Sequence, residues 1–95
     1  MPEIGQRVIA FRDATEGIVS SYGEGEYLGD KIPSEGMLAD LEIKNPCIKL
    51  DNGKYVWGFQ CWWGSLDGFN KQLEKGTYKS VVEVELEQEV LPKEE

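Results

Sequence analysis

Asn52-Gly53 sits between two runs of alternating side chains, CIKLD before it and KYVWGFQCWWG after it, and that arrangement demands a hairpin. A two-residue type I′ turn needs positive φ at both central positions, which asparagine and glycine supply at the least cost. With those two as the loop, Leu50 faces Tyr55, Lys49 faces Val56 and Ile48 faces Trp57. Alternation along each strand then collects Ile48, Leu50, Tyr55, Trp57, Phe59, Cys61 and Trp63 on one face. The opposite face holds Cys47, Lys49, Asp51, Lys54, Val56, Gly58, Gln60 and Trp62. A three-residue loop with Gly53 in a bulge would set Lys54 beside Leu50 and mix the faces, so the pattern favours the two-residue turn. Trp57 and Trp63 are therefore expected in the core with Phe59, and Trp62 on the other side, next to Gln60 and Gly58, unless a bulge at Gly58 re-aims the strand; there it either meets a partner or packs under the 30–46 loop or the helix.

The first half of the chain is punctuated by glycine and proline. IGQRVIAFRD predicts a strand over 6–12, and ATEGIVSSYGEGEYLGD predicts two short strands over 16–22 and 24–29, with Gly17, Gly23, Gly25 and Gly29 as bends or bulges of a curved sheet. Residues 30–46 carry two prolines and a short helical run around Met37 to Leu41, and form the longest irregular connection. After the tryptophans, SLDGFNKQLEKG predicts a helix from Leu66 to Lys75. Ser65 is its N-cap, Leu66, Phe69 and Leu73 form its inner face, and Gly76 lies just past its end. TYKSVVEVEL predicts a last strand with Tyr78, Val82, Val84 and Leu86 facing in and Lys79, Glu83 and Glu85 facing out.

These elements describe a mainly β chain: a small, partly open barrel of five to six short strands with one short helix in its C-terminal half. IGQRVIAFRD followed by GIVSSYGEGEYLG resembles the opening of SH3-like barrels of the Tudor and KOW kind over residues 4–29. The insertion at 30–46 and the helix at 65–75 depart from the plainest form of that pattern. Residues 1–87 are read as one globular domain, with 88–95 as an acidic, flexible tail. The size, 95 residues, suits a single core.

Charge narrows the function. Eighteen acidic residues against ten basic ones give a net charge of −8, the wrong sign for a phosphate backbone, so nucleic-acid binding is not expected. Glu83, Glu85, Glu87, Glu89, Glu94 and Glu95 crowd the last thirteen residues against Lys93 alone. That flank either keeps the chain solvated or meets a basic partner. No apolar run approaches the roughly 18 to 20 residues of a membrane span, and the N-terminus lacks a basic and apolar leader, so a cytoplasmic protein without membrane contact is expected.

Chemistry is sparse. Without histidine the chain lacks the usual general base near neutral pH and the commonest transition-metal ligand. Cys47 and Cys61 cannot complete a four-ligand zinc site, and on the expected register they face opposite sides, which argues against a disulfide. Glu24, Glu26 and Asp30 match no calcium loop, and the glutamates of GEGEYLG would repel a phosphate. No metal or cofactor is expected.

What remains is aromatic recognition. Trp62 with Gln60, joined by Tyr22, Tyr27 or Tyr55 at the barrel rim, would offer a platform for a peptide or a cage for a cation. The Tudor resemblance implies binding of methylated side chains by such a cage. The expected function is thus a non-catalytic module that binds a protein or peptide, a basic one by charge, with self-association as another use of an exposed tryptophan. Two alternatives are an acidic inhibitor or nucleic-acid mimic that binds a basic protein, and a small enzyme whose carboxylates meet only in three dimensions.

Overall fold

The structure, a computed structural model, describes residues 3–93. Strand β1 (Arg7–Thr15) turns directly into β2 (Ile18–Lys31), which is followed by the short helix α1 (Met37–Asp40). Strands β3 (Asn45–Leu50), β4 (Tyr55–Trp57) and β5 (Trp62–Ser65) precede helix α2 (Leu66–Glu74) and the last strand, β6 (Ser80–Glu83). The sheet runs β4-β3-β2-β1-β5, with β6 added in parallel beside the first residues of β2. It is mainly β and does not close, as expected for a partly open barrel.

β2 organises the sheet. Two short strands were expected over 16–22 and 24–29; the chain instead makes one strand of 14 residues, bent at Gly23 and Gly29, both with positive φ. Bending without breaking lets one edge of β2 pair with β1 while the other edge serves β6 at Ile18–Ser21 and then β3 at Gly25–Lys31. Gly25 is the crossing point. A Cβ there would lie 2.9 Å from the Leu50 Cα and would overlap the Lys49 carbonyl, so only glycine lets β3 approach.

The hairpin at Asn52-Gly53 forms, but on the other register. Lys49 faces Tyr55, Ile48 faces Val56 and Cys47 faces Trp57, one residue away from the expected pairing. The Leu50 carbonyl accepts from the Gly53 amide and Gly53 alone has positive φ, which makes a three-residue loop with a glycine bulge. Its side chains hold it there: the Asn52 Oδ1 accepts from the Lys54 amide, and Asp51 takes both guanidinium nitrogens of Arg7 at 2.8 and 2.6 Å. The two-residue turn with positive φ at both positions occurs elsewhere, at Glu16-Gly17 between β1 and β2.

The shifted register distributes the hairpin over two cores. Ile48, Leu50 and Val56 join Val8 and Ala10 inside the barrel, with Tyr22, Tyr27 and Trp63 packed against them. Cys47 and Trp57 face the other way, against Leu28, Tyr55 and Val90. A face expected to be mixed and solvated is therefore covered by residues 88–93, the segment expected to be a flexible tail. The Trp57 indole N–H donates to the Val90 carbonyl at 2.7 Å, the Gln60 side-chain Nε2 donates to the Gln88 carbonyl, and the Ser34 and Lys93 amides donate to the Leu91 and Ile32 carbonyls. Residues 94 and 95 lie outside the described residues.

A third cluster lies under α2. Ser65 caps the helix by accepting from the Gly68 amide, Gly76 follows its end with positive φ, and Phe69 packs with Ile9 and Val19 as Leu66 and Leu73 close the sides. The last strand is only half as expected: Tyr78 and Leu86 pack inward, but Val82 is 50% exposed although it pairs with Ser20, since all four residues of β6 are exposed.

Candidate binding surface around Trp62

One continuous strand was expected from Lys54 through Trp63. The chain instead leaves β4 at Trp57, turns through residues 58–61 and returns as β5 against β1. The corner is pinned from β3: the Gly58 amide donates to the Pro46 carbonyl and the Phe59 amide to the Asn45 side chain at 3.0 Å. A Cβ on Gly58 would sit 3.0 Å from that Asn45 oxygen and 3.1 Å from the Pro46 ring, so the glycine makes the close approach possible. Gln60 locks the turn, its side-chain oxygen accepting from the Trp57 amide at 3.0 Å while its nitrogen holds Gln88.

Beyond the corner, β5 pairs Trp63 with Ala10 and Trp62 with Phe11. Trp63 points into the barrel and stacks on Tyr27, ring centres 5.1 Å apart, so its neighbour Trp62 must point out. Trp62 is 69% exposed. Phe59, expected in the core, is 50% exposed, since the turn lifts it out of strand alternation to lie over the edge of Trp57. The two rings share the rim of an open cleft of about 490 Å³ with Arg12 and Gln60, and Arg12 is tied to Asp13 at 3.1 Å.

No family model, curated protein or solved structure matches this chain.

Of the side chains expected to act together, Trp62 and Gln60 share this cleft, whereas Tyr22 and Tyr27 do not line it. Tyr27 is spent on Trp63 and donates its hydroxyl to Asp30 at 2.7 Å, which pushes the phenol up to about 12. Tyr22 lines a second open cleft with Glu24, Asp51, Glu83, Glu85 and Lys54, and burial raises its phenol. Tyr55 lies on the tail-covered face near Lys49. The rings are dispersed, so Trp62 has no tyrosine cage around it. Phe59 and Arg12 are the cleft residues the sequence reading missed. The glycine before Phe59, next to a glutamine able to cap a turn, was the available signal.

The cysteines are free, Cys47 buried and Cys61 half-buried. Burial pushes the Cys47 thiol up to about 11, with Lys31 opposing the rise, and pushes Cys61 up to about 12, where its sulfur also meets the Trp57 carbonyl. Neither is a nucleophile near neutral pH. Among the described residues no three His, Cys, Asp or Glu side chains converge as metal ligands, and no helix is long and apolar enough to cross a membrane.

Proposed function

We propose that the chain is a non-catalytic module that binds a protein or peptide through Trp62 and Phe59, with a basic partner favoured by the acidic segment alongside. The supporting observation is the exposure of Trp62 on a strand whose other side is anchored by Trp63. A large aromatic held rigidly in water is the usual form of an interface anchor, because little side-chain entropy is lost when it docks. Gln60 ties the corner beneath Trp62 to Gln88, so the chain that carries Glu87 and Glu89 passes the same corner. Their charge would speed the encounter with a basic partner and fix its register more than it would add affinity.

A second reading rests on the cleft of Glu24, Asp51, Glu83 and Glu85, four acids against Lys54 in about 610 Å³. An acidic inhibitor that mimics a phosphate backbone would use that face. One experiment separates the two: capture from lysate at 50 and 500 mM salt with the wild type, Trp62→Ala and Glu83→Gln/Glu85→Gln, each first shown to fold alike. A partner lost with Trp62→Ala and retained at high salt fits aromatic docking. One lost at high salt and with the glutamine pair, but held by Trp62→Ala, overturns that reading in favour of the acidic face.

A further inference from the structure

The lysines of this acidic chain are not spread evenly. Where the C-terminal segment crosses the connection after β2, an open cleft of about 720 Å³ is lined by Lys31, Lys44 and Lys93, with Asp30 its one carboxylate. Its lining has three lysines against one carboxylate in a chain whose total charge is −8, and Lys93 is paired with Glu42 just outside it. Its floor and walls are apolar: Leu28, Ile32, Pro92 and the ring of Tyr55.

The enclosure is built by the fold. The Lys93 amide donates to the Ile32 carbonyl at 2.8 Å, the Ser34 amide donates to Leu91, and Pro33 bridges Pro92, which fixes the far wall against the near one. The carboxylates around the cleft keep their charge but each already holds a donor or a cation. Asp30 accepts the Tyr27 hydroxyl, Glu89 accepts the Tyr55 amide, and Glu42 lies 3.7 Å from Lys93. Lys31 and Lys44 line the cleft and form no ion pair among the described residues. Ammonium groups beside an apolar floor, with a volume in the range of small-molecule sites, select a particular ligand chemistry.

We infer that this cleft binds a small organic anion: a carboxylate on a flat apolar body, its charge held between Lys31 and Lys44 and its body lying on Tyr55, Ile32 and Pro92. The site is separate from the Trp62 surface, and neither proposal depends on the other.

The probe is indole-3-acetate, with neutral indole-3-acetamide as its isostere, titrated into the 15N-labelled full chain at constant ionic strength and followed by amide shifts. Shifts should concentrate at Ile32, Tyr55 and Lys93 and saturate with a dissociation constant on the order of 1 mM, as expected for some thirteen heavy atoms at modest efficiency. The acetamide should bind more weakly, and Lys31→Ala and Lys44→Ala should each weaken the acid about two- to fivefold, the range of half-exposed charge pairs. Lys54→Ala, in the acidic cleft, should change nothing. Glu94→Gln/Glu95→Gln, which removes the carboxylates following Lys93 in sequence, should tighten binding. Equal shifts by acid and amide would overturn the inference. So would shifts that map elsewhere, or binding by the folded Lys31→Ala/Lys44→Ala double variant as tight as the wild type's.

Discussion

Replacing Val90 by alanine decides whether the segment after residue 87 belongs to the folded unit. Val90 is 7% exposed and packs on Cys47 and Trp57, while its neighbour Leu91 is 54% exposed. Val90→Ala removes two buried methyl groups, about 1.6 kcal/mol at roughly 0.8 kcal/mol each. The void left beside the Trp57 ring brings the cost to about 2 kcal/mol. Leu91→Ala deletes a larger side chain that is mostly in water, and should cost less than about 0.5 kcal/mol. For a chain of this length a 2 kcal/mol loss lowers Tm by roughly 8–16 °C. Urea unfolding followed by tryptophan fluorescence reads both variants, with Trp57 reporting from the site itself. If the two substitutions shift the midpoint equally, the segment is not packed on Trp57 and the second core does not exist as described.

Three further outcomes follow from the same geometry. Gly25→Ala drives a methyl group into the Lys49 carbonyl and the Leu50 Cα, both backbone, so it should cost at least the roughly 1–3 kcal/mol of core overpacking, read by the same urea titration. Hydrogen bonds from Arg7 hold the Asp51 carboxyl below the usual carboxylate range, so its folded pKa is lower than its unfolded one. The stabilisation it contributes is complete at neutral pH and is lost as pH falls below about 4; the stability gap between wild type and Asp51→Asn should be constant from pH 7 to 5 and close on further acidification. With Cys47 buried and its thiol raised to about 11, a disulfide-exchange reagent at pH 7.5 should not label it until urea unfolds the chain, while the half-buried Cys61, raised to about 12, should label only slowly; fast labelling of Cys47 in the native protein would contradict its burial.

Local chemistry was the part most open to reading from sequence. Ser65, the spacing of Leu66, Phe69 and Leu73, and Gly76 define α2 by interactions within a dozen residues, and the helix forms where they place it. The glycines of the first half marked real bends, but sequence could not say whether a bent strand continues; β2 continues because β1 pairs along it through the kink at Gly23. The corner at 58–61 depends on Asn45 and Pro46, more than ten residues away, and so Phe59 was misplaced. Alternation along one strand turns Trp62 away from the core and leaves open whether a loop covers it; its outward position arises from a different strand, through Trp63 and β1.

The hairpin register shows why a periodic pattern can mislead. Selecting the turn by the purity of one face assumes that the other face meets water, as in a two-layer sheet. Here Trp57 faces away from the barrel yet is fully buried, because Val90 covers it and supplies the carbonyl its indole N–H needs. Once both faces are covered, neither register is penalised for mixing apolar residues between them, and smaller forces decide. Those forces lie at the loop, where the Arg7 fork on Asp51, the Asp51 amide on the Glu24 carbonyl, and Asn52 over the Lys54 amide are all made in the three-residue connection. It follows that the loop and the tail specify the hairpin together. Removing the tail contact would leave the hydrogen bonds of the loop to hold the register alone, with Trp57 newly exposed beside the Trp62 cleft.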